Sequence, residues 1–486
     1  MPGKGAALAG AAKAAGTEEE AQSWPLWKLT LIALPQLGVQ VLWCFIGPNS
    51  ANYMLHLGMG ESLATLNNVA GPITGFFTGP IVGTISDNCT LRLGRRRPII
   101  LVGLASTWVA GMLFSASEHL FTKHTALCFA APMYWVMDVT INVLQTPHRA
   151  LVADLASEEQ QVPMQVVFVF MMAAGSFLAF SIMKVYTVPV EHMLELMFGI
   201  CLLNTLCVGV QFLVAREKPL TTLARDKAAP PKSLCTPVLE VAKAVRDSPR
   251  LLHHLAAVQC LVWIGLTAWG TYGGQWFANA VYRGDQSAKD GSPEKRAYVE
   301  GMAAFSLGGQ CKSVLQLVST LVIMAILLKT TLRPRLVYAP CIFVGAVACI
   351  LAAFVVGHSG AFALACMTAG FMPATGSFTI PFGLVAILNK RAEEEGNQVS
   401  TALQMSLLNC CSTAGMQLCT LALAAVEAAL PLRRALPCVF ALAAATQALG
   451  GAGALLLDDR PAAQGAAYQT FLEAGPDAER SAKSEA

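Results

Sequence analysis

At 486 residues the chain is 55% hydrophobic and only 13% charged, about half the charged share of an ordinary soluble domain. That balance excludes one or two soluble domains of usual make-up, and a net charge of +3 gives no reason to expect a nucleic-acid partner. An all-α membrane protein is expected.

Residues 1–24 mix Ala and Gly with Glu18, Glu19 and Glu20 and lack the basic-then-apolar order of a signal peptide, so a disordered cytoplasmic tail is expected there. Charge-free runs of membrane-crossing length follow: Leu29–Gly60, Ser62–Ser86, Pro98–Ser117, Gln161–Met183 and Leu251–Tyr282. The run Leu336–Asn389 is too long for one crossing and is interrupted by GHSG at Gly357–Gly360. A crossing of ~30 Å takes roughly 20 apolar residues, and only a helix satisfies its own backbone in lipid. About twelve transmembrane helices are therefore predicted, near 28–48, 62–84, 98–117, 125–152, 163–185, 194–214, 253–278, 301–328, 336–356, 361–388, 398–426 and 434–457. The polar stretch 215–250, with Pro230 and Pro231, falls between the sixth and the seventh. Two six-helix bundles, 25–214 and 251–457, joined by a cytoplasmic linker are predicted from span count alone, because no residue-level repeat relates the halves. Residues 458–486 read as a second disordered cytoplasmic tail.

Basic residues gather in alternate loops: Arg92, Arg95, Arg96 and Arg97; Arg216, Lys218, Arg225, Lys227 and Lys232; Lys329, Arg333 and Arg335; Lys390 and Arg391. The positive-inside rule makes these loops, and both termini, cytoplasmic. Arg433 and Arg434 fall on the other side and count against that topology. The N-x-S/T triplet Asn88-Cys89-Thr90 lies in the first basic loop and should carry no glycan. The fifteen cysteines mostly sit inside spans without metal-ligand spacing, so they read as small hydrophobes, and neither metal nor cofactor is expected.

Two stretches carry chemistry. In GPITGFFTGPIVGTISDNCTLRLGRRRPII, Gly71, Gly75, Gly79 and Gly83 recur every fourth residue and make one bare helix face that another helix can approach closely. Asp87 ends that span and the GRRR cluster follows, which reads either as an interfacial anchor or as a charge latch. In YWVMDVTINVLQTPHRALVADL, Asp138, Asn142, Gln145 and Arg149 step by four, three and four and form one helical stripe. Asp138 sits near mid-span, where a carboxylate loses its hydration; it reads as a proton site or as a structural acid bonded between helices. Arg149 lies eleven residues on, roughly 16 Å along the axis, too far to pair with Asp138, and alone reads as an interfacial cation. Pro147 between them can kink the segment. Lys312, inside the eighth span in GGQCKSV, should face a cavity or pair with an acid. Asn67, Asn68, Gln404 and Asn409 read as bonds between helices.

The pattern GPI…G…GPIVG…SD…C…R…GRRRP, with DV…N.LQ.P.RAL.ADL in the fourth span, resembles the sucrose–proton symporters of plants and related animal solute carriers, a glycoside–pentoside–hexuronide-type branch of the major facilitator superfamily. VYRGDQSA at Val281–Ala288 is similar to a loop of the animal branch. The resemblance implies a non-enzymatic, proton-coupled sugar symporter working by alternating access, with sucrose or a related glycoside or hexose as substrate. Its partners would be the sugar, the proton and the lipid bilayer, and the protein a monomer in the plasma membrane or in a vacuolar or lysosome-related membrane. Asp138 matches the proton-coupling carboxylate of that family and Arg149 an arginine needed for transport. Asn142 and Gln145 would then offer amides to sugar hydroxyls. Gln36 and Gln40 share a face with Trp43, and Gln275 adjoins Trp276; a flat aromatic beside amides suits a sugar, although Trp43 and Trp276 equally suit core packing. As a latch, Asp154 would pair with one of Arg95, Arg96 and Arg97, and Asp87 would lie against the start of the eleventh helix, near Glu393, Glu394 and Glu395. The chain departs from the family at Asn88, usually Arg, at Gln275, usually an acid, and at Met302–Phe305, usually opened by a charged or polar residue. A facilitative carrier of another sugar, polyol or organic solute and a non-transporting receptor or scaffold are the alternatives.

Overall fold

The computed structural model describes residues 24–87, 89–155, 161–215, 217, 246, 250–329, 332–354, 359–394 and 401–459. Both expected tails, apart from Trp24, Asp458 and Asp459, most of the linker, and Asn88 with its glycan expectation lie outside them.

The described residues form helices and no strand, in twelve successive long units with two short helical turns between them, Ser117–Leu120 and Pro189–His192. The first bundle holds α1 (Leu26–Ala33 and, past Leu34, Pro35–His56), α2 (Glu61–Asn67 and Ala70–Asp87), α3 (Arg97–Ser115), α4 (Lys123–Leu155), α5 (Gln161–Val185) and α6 (Met193–Val214). The second holds α7 (Arg250–Gln275, ending in a π-helical turn Trp276–Val281), α8 (Pro293–Lys329), α9 (Pro334–Phe354), α10 (Gly360–Gly370 and Met372–Glu394), α11 (Thr401–Glu427) and α12 (Leu432–Leu455). Among the described residues ten helices are long and apolar enough to cross a membrane; α2 and α8 fill the second and eighth places of the predicted order. Prolines open several helices, as Pro35 and Pro98 do, where a missing N–H costs nothing. The eighth helix starts eight residues before the predicted 301, because PEKRAYVE is charged yet made largely of good helix formers. Apolarity marks where lipid lies, not where a helix begins.

Close helix contacts fall at glycines. A Cβ added to Gly103 of α3 would lie 2.5 Å from the backbone N of Leu144 in α4, so these two helices touch backbone to backbone. Gly415 of α11 meets the carbonyl of Cys260 in α7 in the same way. One buried core runs through both bundles, from Phe45, Tyr53 and Phe114 to Trp269, Phe277 and Phe440.

The halves repeat in chemistry where they do not in residues. Asn204 of α6 donates to the carbonyl of Gly38 in α1, 3.1 Å, and Gln447 of α12 donates to the carbonyl of Val262 in α7, 3.3 Å. After α6, the Glu217 carboxylate accepts from the backbone N–H of Arg96 at 2.9 Å and of Arg97 at 3.2 Å, at the start of α3. After α12, the Asp459 carboxylate accepts from the backbone N–H of Arg335 at the start of α9, 3.0 Å. In each bundle the sixth helix thus holds the first, and an acid just beyond it caps the third.

The bundles meet through α1 with α7, α2 with α11 and α5 with α8. Toward the end opposite the Arg95–Arg97 turn they are tied by four polar contacts. Gln275 Nε2 donates to Asn52 Oδ1 (3.2 Å), Ser62 Oγ to the carbonyl of Ala424 (2.9 Å) and Gln310 Nε2 to Ser181 Oγ (2.8 Å), while Lys295 pairs with Glu191 at 3.7 Å. These contacts join the two bundles at this far end.

Candidate functional site

The polar stripe of α4 lies against the glycine face of α2. The position a Cβ would take at Gly71 is 3.5 Å from Asp138 Oδ1, that at Gly75 is 3.8 Å from Asn142 Oδ1, and that at Gly79 is 4.0 Å from Thr146 Oγ1. Side chains on α2 would fill this space. Bare backbone lets the polar groups of α4 sit between the helices instead.

Asp138 is fully buried midway along α4. Its Oδ2 receives the hydroxyl of Thr74 from α2 and Nδ2 of Asn142 at 3.3 Å. Asn142 also reaches the carbonyl of Asp138, 3.0 Å, closing one turn of helix. Gln145 Nε2 donates to Asn142 Oδ1 at 2.7 Å, and the indole of Trp43, from α1, donates to Gln145 Oε1 at 3.1 Å. Four side chains therefore run in one line from an aromatic on α1 to a carboxylate on α4. The other oxygen, Oδ1 of Asp138, is buried and has no hydrogen-bond partner among the described residues. A buried carboxylate oxygen so placed carries a large desolvation cost while charged and can accept a proton.

The other predicted residues stand around this line or away from it. Gln40 donates to Ser176 Oγ of α5 at 3.2 Å, and Gln36 is buried with Oε1 unpartnered. Arg149 is exposed, its guanidinium 5.4 Å from the ring of Phe168 in α5. Lys312 of α8 is only 8% exposed. Its ammonium lies 3.9 Å from the Phe371 ring centre, in its own bundle, and 5.3 Å from that of Phe180, in the first bundle. No described carboxylate pairs with it. Gln275 belongs to the far-end contacts, and Trp276 is buried against Trp269 and Phe440, ring centres 5.3 and 5.4 Å away. The structure does not bring either to the α4 stripe.

At the basic end, Arg96 is buried and donates to Ser86 Oγ, 3.1 Å, and Arg97 donates to the carbonyl of Phe212, 2.9 Å, with its guanidinium over that ring. Arg95 is partly buried. The side chains of Asp87, Asp154, Glu393 and Glu394, residue Glu395, and the side chains opening α11 lie outside the described residues. Asn67 accepts from Trp135 of α4 at 3.0 Å and Asn68 from Ser50 of α1 at 2.8 Å, both between helices.

Sequence reasoning missed Thr74, Ser176, His148 and Glu217. His148 is buried beside Arg149, within 2.9 Å of Gln211 Nε2 and stacked on Phe168. Thr74 could have been found from the glycine stripe, since one turn separates it from Gly71. Ser176 and Glu217 carry no local signal.

Residues 31–429 match the family described as MFS/sugar transport protein. The sucrose transport protein SUT1 of Oryza sativa subsp. japonica is 27% identical over 325 residues, 60% of each chain. SUT5 of Oryza sativa subsp. indica is 28% identical over 278 residues, 51% of this chain and 52% of that one. Sucrose transport protein SUC3 of Arabidopsis thaliana is 34% identical over 179 residues, 34% of this chain and 30% of its own. The chain thus spans at most 60% of the length of the relatives named here. Among solved structures, a D-xylose–proton symporter has a TM-score of 0.62 at 12% identity, covering 90% of this chain and 99% of that one. A POT family transporter in complex with 5-aminolevulinic acid has 0.62 at 12%, covering 90% and 96%. At such identities the likeness is one of fold.

Proposed function

The chain belongs to the MFS/sugar transport protein family, and on that premise we propose that it is a proton-coupled sugar symporter working by alternating access. The substrate is sucrose or a related glycoside or hexose. The observation that carries the reading is Asp138: a fully buried mid-helix carboxylate with one oxygen unpartnered, joined by side-chain amides to the indole of Trp43. Its unpartnered oxygen takes the proton. The indole edge and the amides of Gln36, Gln40, Asn142 and Gln145 serve ring faces and hydroxyls of the sugar. The names of the plant relatives, which are sucrose transport proteins, support this substrate class.

Movement follows from the two-bundle build. Four polar contacts join the bundles at the far end, and in the alternating-access reading the site then opens toward the Arg95–Arg97 end, the cytoplasmic one by the positive-inside rule. Rocking about α1–α7, α2–α11 and α5–α8 would break these contacts and expose the other side. Arg149 guards the inner mouth, and Lys312, between rings of both bundles, changes neighbours in the stroke. At the basic end we retain the latch reading: Asp154 with one of Arg95, Arg96 and Arg97, and Asp87 against the start of α11. The plasma membrane, with both termini inside, is the proposed location, and the monomer the working unit.

The test is uptake of a panel of radiolabelled sugars into vesicles at two external pH values. Uptake driven by an inward proton gradient, and lost for uphill accumulation but kept for exchange in Asp138→Asn, is the expected result. Accumulation by that variant at the wild-type level would refute the assignment. Tags at either terminus that stain from outside intact cells would reverse the orientation.

A further inference from the structure

Lys312 stands midway along α8, at a depth where an ammonium meets neither bulk water nor lipid headgroups. It is 8% exposed and lies between the Phe371 ring of its own bundle and the Phe180 ring of the other, 3.9 and 5.3 Å from the centres. Ring faces attract a cation but offer its three N–H groups no oxygen. Among the described residues no carboxylate lies within pairing distance and no hydrogen bond reaches the ammonium. A charge taken out of water on these terms has no counter-charge, and its place is suited to receiving one.

That place adjoins the residues assigned to the sugar. Phe180 is one turn beyond Ser176 on α5, and Ser176 receives Gln40 Nε2 of α1 at 3.2 Å. Cys44, one turn beyond Gln40, meets Ser176 Oγ at 3.3 Å and lies close enough to Lys312 to interact with its charge. Gln40 in turn shares a helix face with Trp43. A Cβ at Gly309, three residues before Lys312, would strike the Phe180 ring, so bare backbone lets α5 come this close to α8. Across the bundle interface, Lys312 therefore faces the α1–α5 surface that holds the amide and the indole.

We propose that Lys312 is an anion subsite of the sugar pocket and that the transported sugar carries one carboxylate, as a uronic acid does. The inference rests on the sugar-transport reading above and narrows its substrate class. One ammonium balances one negative charge. A uronate near neutral pH carries one, whereas a phosphate monoester carries nearly two and would leave the surplus buried. A compact ammonium on a flexible stem suits a single carboxylate better than a fixed, forked contact would. With its ring against Trp43 and Gln40, such a sugar extends its carboxylate to α8 and bridges the bundles. The charges then balance: a proton on Asp138 and a carboxylate on Lys312 cross as a neutral pair, while a neutral sugar and its proton carry one positive charge. No heavy-atom bond is made or broken.

The experiment uses the purified full-length protein and three hexose probes of similar shape: D-glucuronate, its neutral amide D-glucuronamide, and D-glucose. Binding is read as thermal stabilisation, and transport as radiolabel uptake into proteoliposomes. Wild type should prefer glucuronate to both neutral probes by about tenfold or more, the worth of one charge-assisted hydrogen bond. Lys312→Met should erase that preference and Lys312→Arg should restore part of it. With one proton per stroke, a membrane potential should drive glucose uptake and leave glucuronate uptake unchanged. Wild type that binds glucuronate no better than glucuronamide overturns the proposal, whether or not the variants fold. So does equal loss of all three probes in Lys312→Met, the sign of a structural lysine or of a counter-charge to Asp138. Tighter binding of a hexose phosphate than of glucuronate overturns the carboxylate assignment. If uptake ignores the proton gradient while the binding preference stands, the symport reading falls and the anion subsite remains.

Discussion

Gln275 of the second bundle donates to Asn52 of the first across 3.2 Å, and both side chains are buried. Replacing Gln275 by Ala leaves the Asn52 carbonyl oxygen without this donor in the closed state, a loss on the order of 1 kcal/mol. The balance should shift about fivefold toward opening at the far end. Spin labels at His119 and Leu430, both exposed near that end, should report a larger share of long distances. Glu191→Gln should shift it less, since Glu191 is 52% exposed and its pairing with Lys295 is screened. Equal distance distributions in wild type and Gln275→Ala would remove this contact from the gate.

Two glycines separate packing from function. A methyl at Gly103 would lie 2.5 Å from the backbone N of Leu144, and backbone cannot step aside cheaply. Gly103→Ala should cost about 2–3 kcal/mol and lower the melting temperature seen by fluorescence-detected gel filtration. A methyl at Gly71 would lie 3.5 Å from Asp138 Oδ1, an ordinary contact. Gly71→Ala should keep its melting temperature but slow proton-driven uptake, since the methyl crowds the oxygen assigned the proton.

Lys312 is nearly buried between Phe371 and Phe180 with no described carboxylate beside it. A buried cation held by aromatic rings alone stabilises the fold little, because its desolvation offsets the attraction. Lys312→Met should therefore fold with an unchanged or higher melting temperature, yet transport more slowly, as one ring contact crosses the bundles. A melting temperature lowered by more than about 4 °C, which for a bundle of this size would signal a loss above ~1 kcal/mol, would mean the ammonium is structural.

Glu217 accepts from the backbone N–H groups of Arg96 and Arg97 where α3 begins. Glu217→Ala removes a charged cap and should destabilise the first bundle by about 1–2 kcal/mol. Glu217→Gln, which keeps an acceptor, should recover part of that. Gly94, beside this carboxylate with φ +105, should accept no side chain.

The order of the spans was legible because lipid selects apolar runs, and the stripe of Asp138, Asn142 and Gln145 because helical pitch alone puts them on one face. Their partners were not. Thr74 is 64 positions from Asp138 and Trp43 is 102 from Gln145, and no local pattern states which distant helix will lie alongside. The glycine stripe announced a close neighbour without naming α4. Which end is closed is likewise absent from local pattern, since the same residues must serve both states. Trp276 was ambiguous for a simpler reason: an indole at a helix turn looks the same before a ligand as in an aromatic cluster. Glu217 was hidden by company, one acid in a linker noted for its bases.

Each bundle fastens its own third helix with an acid that follows its own sixth, Glu217 in one and Asp459 in the other. The covalent join beyond Glu217 therefore carries neither fastening. Cutting the chain anywhere in 218–245, a stretch past Glu217 and before α7, leaves each fragment with its own pair of clasps, Asn204 and Glu217 in one and Gln447 and Asp459 in the other. The two fragments, made as separate polypeptides in one cell, should find one another in the bilayer and restore a working whole. In this respect the protein is a heterodimer that happens to be translated in one piece.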